Sequence, residues 1–381
     1  MVGQTKSRKL IVFVSFICLW LTSVQVGICQ QADSDAGLSF GNAVVDSTTL
    51  VGKVMCGYQG WFSCPGDGSG LGWTHWARSS RRPFGPGNAT VDLWPDVREL
   101  TPEERFSTSF KHPDGHAAEV FSSANEKTID RHFRWMRDYG IDGVFVQRFA
   151  NGLKTPRLKA QKDKVLFHAH DAASRAGRVL AVMYDLSGLQ RGQTARVSED
   201  WKQLKRDGIT EGGRYLKHNG KPLVAVWGVG FRDDREYSLD ECSDLIDALK
   251  SDGCAVMLGV PSWWRDQKRD AVADASLHEI LKKADVLSPW TIGRYRSPRE
   301  AKSHANQVWK PDLDWCEKQN LEFLPVVFPG FSWKNLHGGK LDDIPRLKGE
   351  FLWTQITAAK QIGAKMLYVA MFDEVDEGTA I

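Results

Sequence analysis

A single (β/α)8 barrel is the fold that the sequence predicts, and three observations predict it. Eight apolar, strand-like runs recur along the chain, and after the first they begin roughly 30 to 43 residues apart, the pace of successive βα units. Amphipathic, charge-rich segments with helical spacing separate them. The ends of the runs collect aromatic, amide and acidic side chains, which is where barrel enzymes carry their chemistry.

The first run, 51–58, ends in Tyr58, Gln59, Trp61 and Phe62. A long loop rich in Gly, Pro and Trp follows, carrying Trp73, His75, Trp76 and Trp94 before Glu119. Loops of that length usually act as lids or binding walls. Ser123 or Asn125 opens a helix over 126–139 that Gly140 stops, and 141–147 reads as the second strand. Further strands are expected near 178–184, 222–227, 254–260, 285–290, 322–328 and 365–372, with helices over 159–176, 239–251, 299–319 and 344–362. No eighth helix follows residue 372 in this sequence, so the helix lies in sequence beyond it or the barrel is left open. An open doubly wound sheet is the rival; it would carry a Gly-rich phosphate loop. The Gly-rich stretch 66–72 has no following Lys-Ser or Lys-Thr and opens no helix, so it reads as a flexible loop.

Lys6, Arg8 and Lys9 precede an apolar run over 10–26 and the small residues Gly27 and Cys29. That order predicts a secretory signal over 1–29, with a retained anchor or a lipid on Cys29 as alternatives. Residues 30–50 then form a linker or arm, and 51–381 the barrel, secreted or periplasmic and not bound to a membrane once the signal is removed. Five cysteines remain: Cys56, Cys64, Cys242, Cys254 and Cys316. The short separation of Cys56 and Cys64 permits a disulfide in an oxidising compartment.

With 381 residues, 42% of them hydrophobic, the chain can bury a large core. Fifty Lys and Arg against 47 acids leave a net charge of +3, which argues against nucleic acid or an anionic membrane as partner. Fifteen Trp supply flat faces of the kind that stack on sugars, although a bulky core would use some of them.

The strand ends define the candidate site. They contribute Tyr58, Gln59 and Trp61; Gln147 and Arg148; Tyr184 and Asp185; Trp227; Trp263; Trp290 and Arg294; Phe331 and Trp333; and finally Asp373, Glu374, Asp376 and Glu377. Stacking surfaces around hydrogen-bonding groups, with carboxylates at one edge, suit an oligo- or polysaccharide. Crowded carboxylates raise one another's pKa, which divides a pair into proton donor and base; Glu374 and Glu377 are the expected catalytic pair. The alternative is that these acids only cap a following helix. His168 and His170 stand two apart in a helical segment and so do not share a face, which argues against a metal site. Neither a Gly-x-Ser-x-Gly elbow nor a His-Glu-x-x-His helix is present.

The stretch Asp373-Glu-Val-Asp-Glu-Gly-Thr379 resembles the Asn-Glu-Trp-His-Glu-Gly-Thr signature of the family 99 glycoside hydrolases, the endo-α-mannosidases and endo-α-mannanases, and the broader 71/99-like group. The glutamate spacing, Gly378 and Thr379 match; the resemblance extends over the barrel and includes the Tyr-Asp-Leu-Ser-Gly element at 184–188. Val375 replaces the family's Trp and Asp376 its His, so the adjoining subsite is expected to differ. The resemblance implies a retaining hydrolase with Glu377 as general acid and Glu374 as base. In that family the base is thought to deprotonate the sugar's own 2-hydroxyl, which displaces the leaving group through a 1,2-anhydro intermediate. Such attack requires a 1,2-trans bond, as in α-mannosides, β-xylosides and α-arabinofuranosides. Acid, base and internal nucleophile complete the reaction, so no cofactor or metal is expected, and the protein is expected to act as a monomer. The rival function is a non-catalytic carbohydrate-binding barrel.

Overall fold

The computed structural model describes residues 43–381. The expected signal and most of the expected arm lie outside the described residues. Residues 43–50 run across the barrel's surface: the Val45 amide donates to Gly177 O at 2.9 Å, and Ser47 O accepts from the Lys217 amide at 2.7 Å.

Eight parallel strands close into a barrel in sequence order. They are β1 (Val54–Tyr58), β2 (Gly143–Phe149), β3 (Val179–Asp185), β4 (Lys221–Trp227), β5 (Ala255–Pro261), β6 (Val286–Trp290), β7 and β8 (Leu367–Val369). β7 is interrupted: Glu322–Phe323 pairs with β6, and Val326–Val327 pairs with β8. Pro325 lies in the break, and a proline cannot donate to a sheet ladder. β8 in turn pairs with β1, Val54 opposite Leu367 and Cys56 opposite Val369. The expected (β/α)8 barrel is therefore present and closed by strand-to-strand hydrogen bonds, and the alternative of a barrel left open is ruled out.

The strands are buried on both faces, as their continuous Val, Ala, Leu and Met runs require. Gly57 on β1 makes room inside: a Cβ there would lie 2.1 Å from Met371 Sδ and 2.6 Å from the Tyr368 hydroxyl. The outer helices include α1 (Glu126–Asp138), α2 (Pro156–Ala176), α3 (Ala195–Arg206) and α4 (Leu239–Ser251). Asn125 starts α1 by accepting from the amides of Lys127 and Thr128, and Ile129, Phe133 and Met136 fall on its buried face. Ser238 and Glu241 form a capping box on α4. The expected helix at 299–319 is present as α5 (Pro298–His304) and α6 (Lys310–Lys318), joined by a π turn over Ala305–Trp309. The last helix, α7 (Glu350–Gln361), starts later than expected because Ile344 is held back in a bridge to Phe331 and Leu347 and Lys348 have positive φ.

The long first loop carries a core of its own, built on Phe62, Trp73, Trp76, Phe84 and Phe121. An antiparallel hairpin, Phe106–Lys111 with Ala117–Val120, closes it. Most of the loop's tryptophans are spent on this core rather than on ligand, since Trp76 is fully buried and Trp94 stacks on Phe84 at 5.6 Å. The Cys56–Cys64 disulfide is not formed; all five described cysteines are free and buried, and the Cys64 thiol donates instead to Phe121 O at 3.3 Å.

Candidate active site

The site is built from the turn that follows β8. Asp373 faces back to β1, where the amides of Gln59 and Gly60 donate to its two oxygens at 2.7 and 2.8 Å. This fixes the backbone so that the next residue, Glu374, enters the barrel mouth. The chain then doubles back: the Thr379 and Ala380 amides donate to Glu374 O at 3.2 and 3.1 Å. Gly378 permits the reversal, with φ +67° and Ser332 N only 2.9 Å from where a Cβ would stand. The Ser332 amide donates to Glu377 O at 2.9 Å, and Arg346 Nη2 donates to the carbonyls of Gly378 and Ala380 at 2.9 and 2.5 Å. Residues 378–381, directly after the acids, are not helical, so none of the four acids stands at a helix start among the described residues.

Glu374 is only 4% exposed. Gln59 Nε2 donates to its Oε1 at 2.5 Å and the Thr379 hydroxyl to its Oε2 at 2.7 Å. Glu377 stands beside it, half-buried on the wall. Burial first, then Glu377 and Asp376, push the Glu374 carboxyl well above the usual range, and its two donors oppose that rise. Burial and then Asp376 push Glu377 up to about 8; the nearby Trp333 indole tempers the rise without making a well-formed hydrogen bond. Burial also pushes Asp373 up to about 7 against the pull of its two amide donors. Burial thus keeps both carboxyls holding protons into the neutral range, and the Gln59 and Thr379 donors are the groups that support the ionised form of Glu374.

Both glutamates line a cleft of about 610 Å³ at the C-terminal ends of the strands. Of the residues expected from the sequence, Gln59, Trp61, Gln147, Asp185, Trp227, Trp290, Arg294, Phe331 and Trp333 join them there. Trp227 and Trp290 meet edge to face at 5.5 Å on one side, and Phe331 and Trp333 lie 4.9 Å apart on another. Gly259 on β5 leaves the space that Trp227 occupies, since a Cβ there would stand 2.4 Å from the indole.

No family model matches the chain. Its sequence is 29% identical over 126 residues to the glycoprotein endo-alpha-1,2-mannosidase-like protein of Mus musculus, covering 31% of this chain and 27% of that one. It is 27% identical over 121 residues to the glycoprotein endo-alpha-1,2-mannosidase of Xenopus laevis, covering 31% and 27%. The matched stretch thus spans less than a third of these curated relatives' length. The barrel superposes on the GH99 endo-alpha-mannosidase from Bacteroides thetaiotaomicron with a TM-score of 0.60 at 17% identity, covering 87% of this chain and 88% of that one.

The chain is similar to the family 99 endo-α-mannosidases in sequence and in fold. Against that signature, its two departures have structural partners. Val375 is buried in the long loop's core with Phe62 and Trp76. Asp376 accepts from or pairs with His75 Nδ1 at 2.9 Å, and His75 lies flat on Trp61 at 3.8 Å. Where the family signature has a histidine, this family 99-like barrel places an acid and brings the imidazole from its first loop. One face of Trp61 is covered in this way, which makes it a wall more than an open platform.

Four expected site residues are corrected. Tyr58 is fully buried against α1, its hydroxyl 2.9 Å from His132 Nδ1. Arg148 and Tyr184, neighbours across β2 and β3, both turn toward the helices and bond Asp200, Arg148 through Nε at 2.8 Å and Nη2 at 2.7 Å, Tyr184 at 2.7 Å. The reason is the strand's period of two: Gln59, Gln147 and Asp185 point into the mouth, so the residue before or after each must point away. Trp263 is half-buried but lies off the cleft, because Asp270 accepts from its amide and folds that turn back, laying Arg269 over the ring at 4.3 Å. Phe149, Ser187, Phe231, Asp233, Arg296, Asp343 and Met371 also line the cleft and went unpredicted. Phe149 and Ser187 were readable as the residues two beyond Gln147 and Asp185; Asp343 comes from the loop after β7, where no local pattern signals it.

Proposed function

We propose that this protein is a secreted, monomeric glycoside hydrolase that cleaves 1,2-trans glycosidic bonds of an oligo- or polysaccharide with retention, Glu377 acting as acid and Glu374 as base. One observation carries the reading: both glutamates line a single aromatic-walled cleft, and among the described residues neither forms an ion pair with a Lys or Arg. A structural acid pair held by a permanent cation would have no proton to exchange. The relatives named as endo-α-mannosidases make α-mannosides the first substrates to test, with β-xylosides and α-arabinofuranosides meeting the same stereochemical requirement.

In the first step Glu374 takes the proton of the sugar's 2-hydroxyl as O2 attacks C1, while Glu377 gives its proton to the departing oxygen and the C1–O bond breaks. Water then opens the anhydro ring at C1. Glu377 takes the water's proton and Glu374 returns its own to O2, so both acids regain their starting states. Trp227, Trp290, Phe331 and Trp333 supply stacking walls, and Gln147, Asp185 and Arg294 supply hydrogen bonds to hydroxyls. The basic and then apolar order of residues 6–26 supports export. A binding-only barrel would keep the aromatic wall but turn nothing over.

Substitution separates the two roles. Glu377→Gln is expected to abolish cleavage of ordinary glycosides and spare an activated glycosyl fluoride, whereas Glu374→Gln slows both by roughly 10²- to 10⁴-fold. Full activity in either variant sinks the assignment.

A further inference from the structure

Beside the cleft lies a second pocket of about 250 Å³, sharing Trp61 and Phe149 with it as a common wall. From α2 it receives Leu158, Gln161 and Lys162, whose i, i+3, i+4 spacing puts them on one helix face. Thr74 and His75 in its lining have partners, whereas Gln161 and Lys162 have none among the described residues. Gln161 is only 6% exposed, yet neither its Nε2 nor its Oε1 makes a hydrogen bond. Lys162 makes no ion pair among the described residues; its ammonium lies 5.5 Å from the centroid of Phe149. The neighbouring cations differ: Arg294 pairs with Asp270, Arg296 with Asp343, Arg235 with Asp233, and Lys159 with Asp163. Among the described residues no acid lines the side pocket, whereas Asp185, Asp233, Asp343, Glu374 and Glu377 line the main cleft. A buried amide without partners and a shielded cation that only the more distant Asp185 offsets, with no direct ion pair, are costly unless a ligand completes them.

Resting on the glycoside hydrolase reading, we propose that this side pocket is a subsite for an anionic substituent of the substrate, a carboxylate or a sulfate half-ester, bound by Lys162 and Gln161. The anion's oxygens accept from the Lys162 ammonium and the Gln161 Nε2, and a sugar hydroxyl can donate to Gln161 Oε1. Trp61 and Phe149 form the wall between this group and the ring to be cleaved, so the charged substituent belongs to a residue at or next to the cleavage point. The preferred substrate is then an acidic polysaccharide.

The test measures binding, so that it does not depend on turnover. Glu374→Gln protein is titrated calorimetrically with two matched pairs: a sulfated mannan oligosaccharide and its desulfated form, and a glucuronoxylan oligosaccharide and its carboxyl-reduced form. Lys162→Met and Lys162→Arg are then added to the same background. At least one charged member should bind about tenfold or more tightly than its neutral partner, as expected of a charge-assisted hydrogen bond. Lys162→Met should abolish that ratio and Lys162→Arg keep much of it. The pair that responds tells sulfate from carboxylate. Equal binding within both pairs, binding of neither charged sugar, or a ratio that Lys162→Met leaves unchanged overturns the inference. Wild-type hydrolysis of neutral sugars alongside any of those outcomes leaves the glycosidase reading intact; a Lys162-dependent ratio without hydrolysis by wild type would instead remove the glycosidase reading and keep the anion site.

Discussion

Thr379 is five residues from Glu374 and offers a clean perturbation of the base. Its hydroxyl donates to Glu374 Oε2 at 2.7 Å inside a buried turn, and Gln59 Nε2 holds the other oxygen at 2.5 Å. A hydrogen bond to a carboxylate contributes about 1.5–3 kcal/mol, and one pKa unit corresponds to about 1.36 kcal/mol. Thr379→Val keeps the side chain's shape and removes only the donor, so the Glu374 pKa should rise by about one unit or somewhat more. The proposed base must be ionised and the proposed acid protonated, so under that assignment kcat/KM climbs as Glu374 loses its proton and falls again as Glu377, raised by burial and Asp376, loses its own. Raising the first value moves the acidic limb to higher pH and leaves the alkaline limb nearly in place. The profile narrows and its maximum drops. The assay is kcat/KM for an aryl α-mannoside, or whichever 1,2-trans glycoside is turned over, from pH 4 to 10, with circular dichroism to verify folding at each point. A folded variant whose activity falls by one factor at every pH, with the acidic limb unmoved, would refute the claim that Thr379 sets the protonation of Glu374.

Two further substitutions probe the surroundings. Arg148→Met leaves Asp200 buried without its main partner, so it should destabilise the fold by about 3–5 kcal/mol in chemical denaturation while leaving KM unchanged in the folded fraction; a raised KM at unchanged stability would return Arg148 to the cleft. Val375→Trp, which restores the family's residue, overfills the packing around Phe62 and Trp76 and should cost about 1–3 kcal/mol, seen as a lower melting temperature; a neutral or stabilising result would mean that the first loop is not packed as described.

The barrel was legible because its signal repeats. Each strand is an apolar run between helical segments, and the hydrophobic period survives local irregularities such as Pro325 in β7. The closure was not legible, since pairing of β8 with β1 joins residues near opposite ends of the described chain. At the site, the acids of the last turn and most strand-end aromatics could be read directly. What failed was choosing two adjacent residues from one strand end. Gln147 and Arg148 cannot both face the mouth, and the sequence does not say which one does, because a buried arginine with Asp200 and Asp163 looks like an exposed one until its partners are known. His75 illustrates the remaining gap. It reaches Asp376 from across the fold, so the pair exists only in three dimensions.

The central claim is that Glu374 activates the sugar's own 2-hydroxyl, with Glu377 as the acid. Following hydrolysis of an α-mannan oligosaccharide, or of another 1,2-trans substrate that the enzyme cleaves, by ¹H NMR in the first minutes tests it most directly. The first product should carry the substrate's own anomeric configuration, and the 2-deoxy analogue should not be turned over. An inverted first product, or rapid cleavage of the 2-deoxy analogue, would contradict it.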